Sequence, residues 1–258
     1  MEKAGTRGAD VLALDLEDGV HPDEKREARE KISKALEKND WGESEVFIRA
    51  NGLDTDWGWD DVEMIRDVAP AGAILPKASD PSVVGEVAVR LAPNVPLFLM
   101  LETAEGILQS AALARVDNVS GLLFGAADFR ENIQASPLPD ESEILFARSA
   151  VIVAARAAGI EAFDTPWFEY KDPAGLEASA KRARHLGFDG KTAIHPSQVE
   201  CIHDVFSPTA AEIARAQGIV DVMDRAMAEG RNVATLGNEM VEALHLKGAH
   251  RVLERAGK

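Results

Sequence analysis

Residues 11–22 read VLALDLEDGVHP. An apolar run of strand type ends on acids and passes straight into a turn. In an open, doubly wound sheet that binds a dinucleotide, the first strand is followed by a glycine-rich GxGxxG turn. LDLEDGVHP has no such pattern, so this strand points away from the open sheet and towards a closed one.

Working outward, six more short apolar runs repeat the design: EVFIRAN (45–51), GAILPKA (72–78), PLFLMLET (96–103), GLLFGAAD (121–128), EAFDTPW (161–167) and GKTAIHP (190–196). Amphipathic helical patterns lie between them near 23–38, 60–68, 81–92, 104–115, 140–158 and 172–187. Pro22, Asp80-Pro81 and Asp172-Pro173 mark helix starts, and Gly159 and Gly187 mark helix ends. Continuous apolar strands alternating with helices imply a parallel sheet covered on both faces. Nearly every strand ends on a polar residue: Glu17-Asp18, Arg49-Asn51, Lys77, Glu102, Asp128, Asp164 and His195. A barrel gathers its strand tips around one site, whereas an open sheet spreads them. The expected fold is therefore an α/β protein with a (β/α)8 TIM barrel.

Seven strands are legible where the barrel needs eight. MEKAGTRGAD reads as a helix and turn that should follow a strand, so the barrel is expected to lack its first strand or to have an open seam between residues 11–16 and 190–195. The barrel domain is expected over 1–207. Residues 208–258 read as a C-terminal helical extension whose apolar stripe (Ile213, Ala216, Ile219, Val220, Met223) needs the barrel flank or a neighbouring subunit to cover it.

The formal net charge of −16 over 258 residues argues against nucleic acid, which needs a basic footprint, and against an anionic membrane. Cys201 is the single cysteine, so no intrachain disulfide forms, in keeping with a cytoplasmic protein. The N-terminus has no signal-peptide pattern, and no apolar stretch reaches the ~18 residues of a membrane span.

Glu102 and Asp128 each close an apolar run and lie one strand-plus-helix unit apart. Neighbouring parallel strands are ~4.8 Å apart, so acids at their tips approach closely and repel unless one keeps its proton or a cation intervenes. Two carboxylates with open positions suit Mg²⁺. Zinc is disfavoured, because no HExxH or paired Cys/His spacing is present. The alternative is that both acids cap helices on exposed loops. Arg49 can grip a carboxylate or steady a developing oxyanion, or pair with Glu17 or Asp18. Lys77 is a Schiff-base nucleophile if its pKa is lowered, and otherwise an ion-pair partner for nearby acids. His195, next to Pro196, reads as a turn former, and Trp57 and Trp59 as residues burying a loop edge.

The pieces GADVLALDLEDGVHPDEKREAR, VFIRAN, ILPKA, LMLETAEGI, GLLFGAADF and GFDGKTAIHPSQVECIHDVFSPTAAEIARA, in this order and spacing, resemble the HpcH/HpaI aldolase and citrate lyase β-subunit superfamily. The similarity is greatest to its CitE-like and malyl-CoA lyase branch and runs from about residue 8 to the end. It implies a (β/α)8 barrel, Mg²⁺ (with Mn²⁺ as a substitute) and a carbon–carbon lyase. The substrate class implied is an acyl-CoA thioester or oxo-acid adduct. It assigns the metal ligands to Glu102 and Asp128 and substrate binding to Arg49, and puts Glu17 and Asp18 near the metal's water shell. Lys77 joins the substrate-binding set. A homotrimer or hexamer is implied, with an acyl-carrier partner as in citrate lyase. Two departures stand out. The RSxLFVPG-type strand is not found, and the GxMID tail motif, whose Asp acts as a base over a neighbouring subunit's site, becomes Asn238, Glu239, Met240, Val241, Glu242. Glu242 is one methylene longer than Asp, and a base misplaced by ~1 Å can cost about 100-fold in rate.

The expected reaction is metal-dependent cleavage of a malyl-, citramalyl- or citryl-type thioester to a 2-oxo acid and an acyl thioester, with Arg49 and Glu242 as catalytic residues. The rivals are a metal-dependent aldolase on free 2-oxo acids, a Schiff-base aldolase using Lys77, and a non-catalytic CitE-like paralogue that binds an oxo acid.

Overall fold

All seven expected strands form: β1 (Val11–Asp15), β2 (Glu45–Arg49), β3 (Gly72–Leu75), β4 (Leu97–Leu101), β5 (Val119–Phe124), β6 (Glu161–Asp164) and β7 (Gly190–Lys191). The computed structural model describes residues 4–91 and 93–257. The seven strands make one sheet in chain order, every neighbouring pair parallel. Its edges among the described residues are β1 and β7, the two strands between which the seam is expected. The fold is a TIM-barrel-like α/β fold.

Between the strands run α1 (Lys25–Lys38), α2 (Gly58–Val68), α3 (Pro81–Leu91), α4 (Ala104–Leu108), α5 (Ser110–Leu113), α6 (Ala126–Asn132), α7 (Leu145–Ala158) and α8 (Pro173–Leu186), with α9 (Val199–Phe206) after β7. The capping chemistry is local. Asp172 accepts the Gly175 N–H at the start of α8, and Gly159 and Gly187 end α7 and α8 in left-handed backbone. The short helix α6 was not expected. At seven residues it is too brief for a period to show, and it carries Asp128 in its first turn.

The strands alternate, apart from a register shift between β4 and β5 at Leu97 and Phe98. Leu14, Val46, Ile48, Ala73, Leu75, Leu97, Leu99, Leu101, Leu122 and Ala162 are buried on one parity. On the other, Phe47, Ile74, Phe98 and Leu123 form a second cluster with Val11, Met100 and Phe163. Glycine makes room for its rings. A Cβ on Gly72 would lie 2.8 Å from the Phe47 ring, and one on Gly121 would lie 2.5 Å from Phe98. Gly190 stands in the same way against Phe163. A large side chain on one strand thus faces a missing one on the next, which fills the layer without overpacking.

The chain divides into two compact units, Met1–Ile202 and His203–Lys258. In the second unit α10 (Ala210–Ala228) is followed by strands β8 (Val233–Leu236) and β9 (Glu239–Glu242) and by α11 (Ala243–Ala256). Ala216, Ile219, Met223, Ala226, Ala234, Val241 and Ala249 form its core. The tail is therefore not wholly helical, which corrects the sequence reading. NEMVE lies mainly in β9, antiparallel to β8 across a two-residue turn at Gly237-Asn238, with Gly237 at φ 63°. Positive φ at a two-residue hairpin turn matches the twist of the strands, and four-residue strands are too short to show an alternation.

Candidate active site

The interior parity of the strands carries its charges at the tips. Asp15 and Arg49 are register partners on β1 and β2. Arg49 Nε donates to Asp15 Oδ1 at 2.7 Å and Nη2 to Oδ2 at 2.6 Å, a bidentate fork. Arg49 Nη1 also lies 3.1 Å from Glu17 Oε2. The sequence reading paired Arg49 with Glu17 or Asp18. The structure gives it Glu17, as one alternative had it, adds Asp15, and leaves Asp18 exposed, near enough for its charge to act on both Glu17 and Arg49. Asp15 was missed. Its signal is an acid on the inward parity of an apolar strand, two residues beyond Ala13.

Glu17 is buried, 6% exposed. Its Oε1 makes no hydrogen bond, although Lys77 Nζ lies 3.4 Å away. Burial raises the Glu17 pKa, helped by the charge of Asp18 and opposed by Arg49 and Lys77. Asp15 responds the other way. Against the upward push of burial, Arg49 and the N–H groups of Glu17 and Gly19 hold it below the usual carboxylate range.

Glu102 follows β4 and is 2% exposed. One oxygen accepts the Lys77 N–H at 2.8 Å. The other side of the carboxylate faces Gly125, where a Cβ would stand 2.5 Å from Oε2, so the glycine after β5 is required by space. Neither acid is the helix cap that one reading allowed. Thr103 caps α4 by accepting the Gly106 N–H, and Gly125 holds the N-cap position of α6. Burial pushes Glu102 up to about 8; the charges of Glu17 and Asp128 add to this, and the Lys77 N–H and Arg49 oppose it. Asp128, half-buried in the first turn of α6, is thus close enough to act electrostatically on Glu102. That turn is tied to β6 by the Ala126 N–H, which donates to Thr165 Oγ1 at 3.1 Å.

Lys77 is raised, not lowered. Burial pulls it down, but Glu17, Glu102 and Asp128 together outweigh burial. This direction favours the ion-pair role over the Schiff-base alternative. His195 shapes its turn, as expected: its Nδ1 accepts the Ser197 N–H at 3.2 Å, and its ring lies 5.0 Å from Tyr170. Trp57 lies under the Lys25 ammonium and Trp59 under the Arg90 guanidinium. Glu242, exposed, holds the N-cap position of α11 within the second unit, its backbone N–H donating to His245 Nδ1 at 3.0 Å.

Lys25 was also missed. It is 5% exposed, and its ammonium donates to Leu16 O, Glu17 O and Asn51 Oδ1, each at 2.7 Å. Asn51 in turn donates its N–H and Nδ2 to Asp61 Oδ2 at 2.8 and 2.6 Å. These buried bonds tie the chain after β1 to the chain after β2, and so fix where Glu17 and Arg49 can stand. A lysine in the polar stretch HPDEKREAR gives no hint of burial.

Among the described residues no three acids, histidines or cysteines form a closed metal cage. Glu102, with Asp128 near enough for its charge to act on it, stands beside the unbonded Glu17 Oε1. That donor set fits a hard divalent cation that keeps several positions for water and substrate oxygens, and a cation there would relieve the acids.

A family model described as "HpcH/HpaI aldolase/citrate lyase" matches residues 1–196. The chain belongs to the HpcH/HpaI aldolase/citrate lyase family. A second model, "C-C_Bond_Lyase of the TIM-Barrel fold", matches residues 147–258, and the chain is a carbon–carbon lyase enzyme of this family. It is similar to the (3S)-malyl-CoA thioesterase of Cereibacter sphaeroides, 38% identical over 256 residues, covering 99% of this chain and 90% of that protein. It is 32% identical to the citrate lyase subunit beta of Leuconostoc mesenteroides subsp. cremoris, covering 99% and 88%. Among solved structures it is similar to CitE from Mycobacterium tuberculosis in complex with magnesium, acetoacetate and coenzyme A, with a TM-score of 0.82 and 30% identity, covering 99% and 92%. Among the described residues no helix is long and apolar enough to cross a membrane.

Proposed function

We propose that this chain is a Mg²⁺-dependent lyase that reversibly cleaves a malyl-, citramalyl- or citryl-type thioester to a 2-oxo acid and an acyl thioester. The observation that carries the reading is Glu102. It is buried, oriented by the Lys77 N–H, and pushed up to about 8 by burial and by Glu17 and Asp128. A carboxyl held in this way would give up its proton readily once a cation stood beside it.

Glu102 and Asp128 would hold the ion. When bound, it supplies positive charge that acidifies a substrate hydroxyl and orients the adjoining carboxylate, and Mn²⁺ would substitute. Arg49, already fixed by Asp15 and Glu17, provides a rigid cation for charge that develops on the substrate oxygen. Lys77 offers a second positive charge to a substrate carboxylate. A base removes the hydroxyl proton. The bond between the carbinol carbon and the carbon next to the thioester then breaks. Its electron pair passes into the thioester enolate, and protonation at carbon releases the acyl thioester. We assign the base to Glu242 of a neighbouring copy, which makes a homotrimer or hexamer the working assembly. An acyl-carrier partner would deliver the thioester if free CoA esters are not used. We place the protein in the cytoplasm.

A second reading is thioester hydrolysis, favoured by the 38% identity to the malyl-CoA thioesterase against 32% to the citrate lyase subunit. One incubation separates the two. With malyl-CoA and Mg²⁺, a lyase yields a 2-oxo acid and acetyl-CoA, while a thioesterase yields malate and free CoA. Cleavage that persists undiminished in EDTA would overturn the metal-dependent reading. Turnover of free hydroxy acids alone would point to an aldolase that does not use CoA. Mg²⁺-dependent oxo-acid binding without turnover would identify a binding paralogue.

A further inference from the structure

Lys77 sits in left-handed backbone, φ 52°, just beyond β3. A side chain other than glycine adopts this at a cost of about 1 kcal/mol or more, and such outliers persist where the surroundings demand them. Here the bend aims the Lys77 N–H at Glu102 Oε1, 2.8 Å away, while the side chain reaches Glu17 Oε1 at 3.4 Å. One residue thus answers two acids with two different groups. The two cations of the mouth are held differently. Arg49 is locked by a bidentate fork and a second carboxylate. The Lys77 ammonium reaches Glu17 only by a single long contact of 3.4 Å, and its side chain is 44% exposed. The charges of Glu17, Glu102 and Asp128 all act upon it.

We infer that the Lys77 ammonium is the built-in counter-cation of the acid cluster, held loosely so that an entering divalent cation displaces its charge, and that Lys77 thereby sets the affinity for the metal. The inference rests on the reading that Glu102 and Asp128 hold that metal. Its sign is unusual for a residue in an active site: removing Lys77 should tighten metal binding. Repulsion between one positive and one doubly positive charge ~6 Å apart in a medium as polarisable as water corresponds to roughly tenfold in affinity. The arrangement also links the metal to the substrate. A substrate carboxylate that accepts the ammonium removes the repulsion, so metal and oxo acid should each strengthen the other's binding.

The test is Mn²⁺ alone, titrated by electron paramagnetic resonance into the full chain. Lys77→Met keeps the backbone N–H that Glu102 needs and removes the charge. It should bind Mn²⁺ roughly tenfold more tightly than the natural protein, and the gain should shrink from ~20 mM to ~500 mM salt as screening grows. Lys77→Arg should stay near the natural affinity. Lys77→Gln repeats the measurement with a polar neutral side chain should the methionine variant fold poorly. Adding pyruvate should raise Mn²⁺ affinity more in the natural protein than in Lys77→Met. Unchanged or weaker binding in both neutral variants would overturn the inference. Glu102→Gln separates this from failure of the underlying site. If Glu102→Gln loses Mn²⁺ and Lys77→Met gains nothing, the inference alone falls. If Glu102→Gln binds Mn²⁺ as well as the natural protein does, the metal site falls and takes the inference with it.

Discussion

At the tips of β6 and β7, Arg148 and Lys191 share Asp164, and Arg148 and Arg182 share Glu141. Arg148 is 1% exposed and Asp164 is fully buried. The partners are complete: Lys191 Nζ also donates to Thr165 O at 2.6 Å and to Ser179 Oγ at 3.0 Å. At the tips of β1 to β5 the same residue types leave Glu17 Oε1 without a hydrogen bond. Burial is the largest single influence on the key glutamate of each group. Around Glu141 the arginines overcome it and the carboxyl falls to about 2; around Glu102 nothing does, and it rises to about 8. The first cluster is saturated and has nothing left to bind with. The second holds a carboxyl that burial keeps from ionising readily, in a place that a further cation would complete. Charge at a strand tip does not distinguish scaffold from site, but the degree of satisfaction does.

The largest expected effect breaks the saturated side. Arg148→Met leaves Asp164 and Glu141 short of a partner in the interior, which should cost about 3–5 kcal/mol in urea denaturation. Glu102→Gln is the matched change on the open side. It removes a buried group whose ionisation is costly, so stability in the absence of metal should hold or rise, while metal-dependent cleavage should fall by about 100-fold or more. If both variants lose similar stability, the two clusters do not differ in kind.

The next effect is a matter of pH. Glu141 has its folded pKa depressed from 4.5 to about 2 by Arg148 and Arg182, against burial. Its contribution is therefore present in full above pH 4.5 and is lost as the pH falls towards 2. A shift of this size corresponds to about 3 kcal/mol. Glu141→Gln should flatten that part of the stability–pH curve and leave the region above it parallel to the natural protein. An unchanged acid limb would mean that Glu141 is not held by its arginines.

Much of this is legible in the amino-acid sequence. Period and punctuation placed all seven strands, because buried parallel strands are continuous apolar runs and Asp-Pro and glycine bound the helices. The same logic brought Arg49, Glu17, Lys77, Glu102 and Asp128 to one end of the sheet. What was not readable depends on partners distant in sequence. Asp15 matters only through its register with Arg49, and Lys25 only because two loop carbonyls and Asn51 converge upon it. The acids of the saturated cluster look no different from those of the open one until Arg148 is seen to be buried between them. The hairpin of β8 and β9 was hidden by its brevity.

Thr165 stands between the two clusters and gives the finest test of their separation. Its carbonyl accepts from Lys191 on the saturated side, and its hydroxyl accepts the Ala126 N–H that starts the helix carrying Asp128. Thr165→Val keeps the shape and the carbonyl but removes the hydroxyl. The Ala126 N–H would lose its acceptor at the helix start, a loss of about 1 kcal/mol. The saturated cluster keeps every bond, so the acid limb set by Glu141 should not move. Asp128 sits two residues beyond Ala126, so Mn²⁺ affinity should drop a few-fold as that turn loosens. A valine variant with weakened acid stability and unchanged Mn²⁺ binding would show that Thr165 serves the scaffold alone, and that the first turn of α6 is held by something other than this bond.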